Sequence, residues 1–218
     1  MTTDEGLPRN AAVDARGPMP VLLVAAAAVV FPLVYLASDL VEVVQGDFSV
    51  FRLSLTYVGE AGFPLFVTGL CVLLRDRLPW WGFLGGIAYA YSFVFFTSTV
   101  VWAIVAHTSD WEALTADFGW WMTTHGAVMV VGGVALGLGV TRSHALPVWT
   151  GYVLVLGVVL VALASGMGNV ERTVAAALPD LAFVGMGVAL AGRRLAIGTS
   201  ESPDRHLQSI SGNVRGDE

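Results

Sequence analysis

Six long apolar stretches separated by short polar stretches dominate the hydrophobic pattern of the chain. They cover residues 19–44, 52–74, 79–106, 119–140, 147–167 and 174–192. Each stretch is close to or above the roughly 20 residues that an α-helix needs to cross a bilayer. The pattern predicts an all-α, polytopic membrane helical bundle of six transmembrane helices over residues 19–194. It also predicts a flexible N-terminal tail over residues 1–18 and a disordered C-terminal tail over residues 195–218, because both are polar.

The composition agrees with a chain that is mostly solvated by lipid. Of its 218 residues, 56% are hydrophobic and 13% are charged, whereas a soluble domain carries about 25% charged residues. No basic patch is present, which excludes nucleic acid as an expected partner. The single Cys71 excludes an internal disulfide. All eleven basic residues are arginine, which is typical of a GC-rich bacterial source, so we expect a multi-pass protein of the bacterial cytoplasmic membrane.

The arginines also predict the orientation of the bundle. With the N-terminus inside, nine of them lie on the cytoplasmic side, and only Arg52 and Arg172 lie outside. The loop over residues 107–118 carries three acidic residues and no basic residue, as an external loop should. The positive-inside rule therefore predicts that both termini are cytoplasmic.

Several ionisable residues fall within the apolar stretches and at similar depth. In the predicted orientation, Glu60 lies about 10–12 Å below the outer end of the second helix. Asp180 lies at a similar depth in the sixth helix, and His125 lies in the first two turns of the fourth. Because an unpaired charge in hydrocarbon costs several kcal/mol, we expect these groups to share a polar cavity in the outer half of the bundle. A carboxylic acid in such a cavity can donate a proton, so Glu60, Asp180 and His125 are the candidate catalytic residues.

Helical phase and depth predict which side chains contact a substrate. Tyr57 and Pro64 fall on the Glu60 side of the second helix by i, i+3, i+7 spacing, and a stripe of aromatic residues runs along the third helix. Aromatic faces stabilise cations, most strongly where water is excluded. The candidate substrate-binding residues are Tyr57, Tyr91, Phe95, Trp102, Trp120, Trp121, Asp39 and Glu42.

Membrane-buried acids beside aromatic side chains resemble the small membrane-integral terpene cyclases of meroterpenoid and indole-terpenoid pathways. The resemblance implies an isomerase or lyase that cyclises a lipid-soluble isoprenoid by protonation, with Glu60 and Asp180 as the acid pair. Those cyclases have seven helices, and their Trp–Glu pair occurs here only as Trp111–Glu112 in a predicted loop. The chain is also similar to uncharacterised small multipass proteins of actinobacteria. This second resemblance does not indicate any particular activity.

Other classes of function fit the same residues. One is a proton-coupled small-molecule transporter or exporter with Glu60 or Asp180 as its relay, and another is a non-catalytic membrane partner or sensor. A metal hydrolase and a haem protein with His107 and His125 as ligands are two further alternatives. However, the histidines lack the spacing of a metal signature, so we predict no metal and no cofactor. The predicted partners are the lipid bilayer and a lipophilic substrate, and the oligomeric state stays open.

Overall fold

A computed structural model describes residues 18–46 and 48–200, and within them the chain is all-helical. The described residues form seven α-helices: α1 (Pro18–Gln45), α2 (Val50–Leu73), α3 (Trp80–Ala106), α4 (Trp111–Phe118), α5 (Trp120–Ser143), α6 (Val148–Ala164) and α7 (Asn169–Ser200). The prediction of an all-α membrane helical bundle is confirmed. Six helices match the predicted segments, whereas α4 lies in a predicted loop. The predicted tails fall largely outside the described residues, and α7 continues to Ser200, past the predicted end of its segment.

Five of these helices are long and apolar enough to cross a membrane. They are α1, α2, α3, α5 and the part of α7 up to Arg193. The apolar helix α6 has 17 residues, fewer than the roughly 20 that a perpendicular crossing needs. The protein is therefore a multi-pass helical membrane protein, and the sixth crossing stays a prediction.

The six long helices form a closed ring. Each packs mainly against two neighbours, in the order α1, α2, α3, α5, α6, α7 and back to α1. The short helix α4 lies against α5. We call the end of the ring with the connections 46–49, 107–110 and 165–168 the outer end, and the end with the connections 74–79 and 144–147 the inner end. In the predicted orientation the outer end faces the extracytoplasmic side.

Glycines bring the helices of the inner half into backbone contact. A Cβ atom on Gly85 of α3 would lie 2.9 Å from the carbonyl oxygen of Gly132 on α5. A Cβ on Gly82 would lie 3.0 Å from the Cα of Gly139. Side chains larger than hydrogen do not fit at these crossings, so the small residues set how closely α3 and α5 approach.

An aromatic cluster closes the ring on the inner side of its middle. The rings of Phe63 and Phe93 are stacked with their centroids 4.2 Å apart, and Tyr89 lies 5.1 Å from Phe93. We call Phe63, Tyr89 and Phe93 the aromatic floor. The rings of Phe66 and Phe183 also pack against Phe63. The fully buried side chains nearer the inner end include Leu70, Leu136, Leu154 and Met186. The inner half of the ring is therefore filled, and the free space lies towards the outer end.

Labelling of a single cysteine tests the predicted orientation. In a Cys71→Ala background, we expect Glu112→Cys on exposed α4 to react with a membrane-impermeant maleimide added to intact cells, because the acidic connection 107–118 is predicted to be external. Asp76→Cys, in the exposed inner connection, is the matched control and should react only after permeabilisation. Reaction of residue 112 from the cytoplasmic side alone would reverse the topology.

Candidate functional site

A central cavity of about 680 Å³ occupies the outer half of the ring. Within the described residues, every one of the seven helices contributes to its wall. Its volume is within the range of about 300–1,000 Å³ that is usual for small-molecule sites. The aromatic floor lies at its inner side, and Trp111, Leu114 and Thr115 of α4 line it near the outer end. A vestibule of about 670 Å³ adjoins it there and shares Trp111, Thr115, Ser165 and Gly166 with it.

Glu60 and Asp180 both line the cavity. Glu60 is 5% exposed and Asp180 is 2% exposed, and each lies some ten residues from the outer end of its helix, which corresponds to about 15 Å. Tyr35 on α1 is close enough to interact electrostatically with both carboxyl groups, and Tyr89 with Asp180. The structure therefore brings the two predicted acids into one site with two tyrosines.

Close helix contacts set the positions of these two acids. A Cβ atom on Gly157 of α6 would overlap the ring of Pro179, so α6 and α7 are in contact one residue before Asp180. On the other side of the ring, a Cβ on Gly59 of α2 would lie 2.8 Å from the Cβ of Tyr35. Because neither helix can rotate without a clash at these points, both carboxyl groups are held towards the cavity.

An ion cluster joins three helices at the outer end. The Glu42 carboxylate accepts hydrogen bonds from the guanidinium groups of Arg52 and Arg172, the latter at 2.9 Å. The side chains of Arg52 and Arg172 are 8% and 22% exposed. Arg172 also donates to the side-chain oxygen of Asn169 at 2.6 Å, and the Arg52 guanidinium lies 4.4 Å above the ring of Phe48. We call Glu42, Arg52 and Arg172 the outer ion cluster; it ties α1, α2 and α7 together.

Helix α4 begins with a capped turn beside the vestibule. The side chain of Asp110 accepts a hydrogen bond from the backbone N–H of Ala113 at 2.9 Å. That hydrogen bond holds the pKa of the Asp110 carboxyl below its ordinary value. The cap keeps α4 in place above the cavity, where Leu114 is buried and Thr115 lines the wall.

Four buried side-chain atoms in the described part of the chain form no hydrogen bond. They are Arg52 Nε, Glu60 Oε2, Thr115 Oγ1 and Asp180 Oδ2. All four residues line the central cavity. Buried polar atoms without partners are rare in folded proteins, and their concentration around one cavity indicates a site that binds polar groups.

The two acidic residues predicted at the end of α1 are buried but differ in role. Glu42 was predicted to bind substrate, yet its carboxylate is occupied by the two arginines of the outer ion cluster. Asp39 is 7% exposed and is close enough to Arg52 to interact with it electrostatically. Neither residue is part of the cavity wall.

His125, predicted as catalytic, lies among aromatic side chains between α3 and α5. Its ring stacks on Phe95 with centroids 3.8 Å apart, and its Nδ1 lies 2.9 Å from the carbonyl oxygen of Trp121. This hydrogen bond needs a proton on Nδ1, because a carbonyl oxygen only accepts. The cavity wall does not include His125, so the structure does not join it to Glu60 and Asp180. His107 is the left-handed residue that ends α3, and it is exposed.

The predicted aromatic contacts face away from the cavity. Tyr57, Tyr91, Trp102, Trp120 and Trp121 are 43–64% exposed on the outside of the ring. The Trp102 indole donates to the Asp117 carboxylate at 3.2 Å, and Trp120 stacks on Trp121. With Phe95 against His125, none of the six is in the cavity wall. The stripe expected to line the cavity is therefore on the opposite side of α3, where tryptophan and tyrosine suit a membrane–water interface.

Sequence reasoning missed the residues that form the actual wall. On α3 they include Tyr89, Phe93, Phe96 and Val100. They repeat at i, i+4, i+7 and i+11, the same spacing as the stripe that was chosen. Arg52, Thr115 and Tyr35 were missed as well. The available signal was Arg52 itself, an arginine at the start of an apolar stretch and eight residues, about two helical turns, before Glu60.

No protein-family model, curated protein or solved structure matches the chain. Within residues 18–46 and 48–200, no three histidine, cysteine or acidic side chains are grouped so that they could hold a metal ion. The fold and the site thus define a helical membrane protein with a central cavity that is lined by two buried acids and an aromatic floor.

Proposed function

We propose that the protein is an enzyme of the bacterial cytoplasmic membrane that cyclises a lipid-soluble isoprenoid by a proton-initiated reaction, as membrane-integral terpene cyclases do. One observation carries the proposal: Glu60 and Asp180 each have an unbonded oxygen beside the same cavity, and that cavity has an aromatic floor. General acid catalysis needs a positioned proton donor, and a cationic intermediate needs surroundings that stabilise it without reacting.

The reaction balances without any other reactant. The carboxylic acid of Glu60 or Asp180 protonates a carbon–carbon double bond, whose electron pair forms the new C–H bond and leaves a carbocation. A second double bond of the same chain attacks that cation and forms a C–C bond. The carboxylate that gave the proton removes a proton from the final cation. The product is an isomer of the substrate, and both acids return to their starting state.

A proton-coupled transporter is the second candidate, and the shape of the cavity favours it. The cavity adjoins the vestibule at the outer end and is closed by the aromatic floor towards the inner end. Alternating access requires such one-sided states, and Glu60 or Asp180 would then carry the coupled proton. Formation of a cyclic product in purified membranes favours the enzyme, whereas proton-dependent flux of an unchanged solute favours the transporter.

Substitution in the aromatic floor tests the enzyme directly. We expect Phe93→Leu to slow product formation from a linear isoprenoid about ten- to thirtyfold, because a desolvated cation–π contact contributes up to about 2 kcal/mol. The assay is mass spectrometry of membranes incubated with the substrate, beside a thermal stability measurement of each variant.

Trp102→Leu is the matched control, since it removes an aromatic ring of the same helix from the outer surface. It should retain near wild-type turnover. Equal rates for Phe93→Leu and the wild type would contradict cation stabilisation by the floor, and a loss confined to Trp102→Leu would place the substrate on the other side of α3.

A further inference from the structure

We infer that the cavity binds an isoprenoid amphiphile whose oxygen-bearing head group lies against Arg52 and Thr115, and whose hydrocarbon chain enters from the bilayer through a gap between α5 and α6. The inference rests on the proposed function, for which it specifies the class of substrate and its route.

The gap is visible in how α5 and α6 diverge. Gly126, Val130, Gly133 and Gly137 follow one another at i, i+4, i+7 and i+11 along one face of α5. Towards the inner end this face touches α6, since a Cβ on Gly133 would lie 2.8 Å from a methyl group of Val158, and one on Gly137 2.7 Å from the carbonyl oxygen of Gly151. At Gly126 no atom lies within 4 Å of such a Cβ. The two helices are therefore in contact near the inner end, whereas at Gly126 the same face of α5 borders the free space of the cavity.

Side chains at the gap belong to the cavity and to the outer surface at once. Val131 on α5 is 70% exposed, and Ala127 and Ala162 are exposed as well, yet all three line the cavity. Val130 and Val161 complete the two edges. An aliphatic opening on the side of a membrane protein matches a hydrocarbon chain, because a polar solute would lose its hydration there.

The head-group position follows from two unbonded atoms at the outer end. Arg52 Nε and Thr115 Oγ1 are buried, form no hydrogen bond, and belong to residues of the cavity wall. An arginine N–H only donates, so its complement is an acceptor oxygen such as that of a hydroxyl, carbonyl or phosphate group. The Arg52 cation shares its hydrogen-bonded carboxylate, Glu42, with Arg172, which leaves it able to attract an oxygen with partial or full negative charge.

The spacing along α2 relates the head group to the acids. Arg52 precedes Glu60 by eight residues, which corresponds to about 12 Å along the helix. A molecule held at Arg52 by its head group would therefore place part of its hydrocarbon chain beside Glu60 and Asp180, above the aromatic floor. The reacting double bond is then distant from the head group.

Two substitutions separate the head-group contact from the gap. The probe is tritiated geranylgeraniol bound to the full-chain protein in nanodiscs, with phytene, an isoprenoid hydrocarbon without oxygen, as competitor. Thr115→Val removes a hydroxyl that has no partner in the protein, so the fold loses no hydrogen bond. We expect geranylgeraniol to bind this variant about three- to tenfold more weakly, with phytene binding unchanged.

Gly126→Leu places a side chain in the cavity beside the gap, and we expect at least about tenfold weaker binding of geranylgeraniol. Gly192→Leu on α7 is its control, because a Cβ there also meets no atom within 4 Å and the residue is outside the cavity wall. This control should bind like the wild type.

The binding measurements test this inference independently of the proposed function. Absence of saturable geranylgeraniol binding, equal competition by phytene, or wild-type binding by both Thr115→Val and Gly126→Leu would overturn it. Turnover is not needed for any of these measurements. If the binding results hold while Glu60→Gln and Asp180→Asn both form the cyclic product at the wild-type rate, the inference stands and the proposed acid mechanism fails.

Discussion

Glu60→Gln and Asp180→Asn are each expected to lower the rate of product formation by about 10²–10⁴-fold while the protein stays inserted and folded. The amide keeps the size of the carboxyl group and its capacity for hydrogen bonds but removes the proton that the reaction needs. Both residues are at most 5% exposed beside the cavity, and each has an oxygen atom without a hydrogen bond. No protein contact of these atoms is lost in the variants, so a large loss of rate without a loss of stability points to proton transfer.

Asp117→Asn provides the matched control for these two variants. It makes the same chemical change at an exposed residue that bonds only to Trp102 in the described contacts. The measurement is cyclic product per unit of protein in membranes, beside the midpoint of thermal unfolding in detergent. Wild-type turnover by both cavity variants would mean that Glu60 and Asp180 serve packing and that the acid-catalysis proposal is wrong.

Glu42→Ala is expected to destabilise the folded protein by about 3 kcal/mol, because it leaves two arginines without the carboxylate that they share. The Arg52 side chain is 8% exposed and has few other partners, whereas Arg172, 22% exposed, keeps its bond to Asn169. The effect should therefore come mainly from Arg52. For a chain of this size the midpoint of thermal unfolding should fall by about 6–12 °C.

Glu112→Ala controls for removal of a negative charge at the outer end, since Glu112 is exposed on α4 and outside the outer ion cluster. It should change the midpoint of unfolding by less than about 2 °C. A Glu42→Ala protein as stable as the wild type would show that the cluster does not hold α1, α2 and α7 together.

The helices could be predicted closely because the bilayer imposes their length. A run of apolar residues ends where polar side chains reach water, so the bounds of α2 and α3 lie within two residues of the prediction. Helix α4 was missed because it is not a long apolar run. Its eight residues include Glu112 and Asp117, and a polar segment of this length resembles a loop until its cap at Asp110 is seen.

The candidate site could be predicted only in part. Glu60 and Asp180 stand out because carboxyl groups are costly in hydrocarbon, and depth alone placed them at one level. Their neighbours did not stand out. Tyr91 and Tyr89 begin stripes with the same spacing on opposite sides of α3, and only the second lines the cavity. Arg52 looked like a charge at the edge of the membrane, but packing buries it against Glu42.

By itself, the sequence determined that the protein is a helical membrane protein and that two acids lie at the same depth within it. Both conclusions follow from the free-energy cost of placing polar groups in hydrocarbon. This cost depends on the type of residue and not on how its helix packs. Only the tertiary structure decided which face of each helix lines the cavity. The lipid and the interior of the ring are both apolar, so hydrophobicity does not distinguish the outer face of a helix from the inner one. The two faces are distinguished by contacts such as Gly59 with Tyr35 and Gly157 with Pro179, because these contacts allow one rotation of each helix and exclude the others.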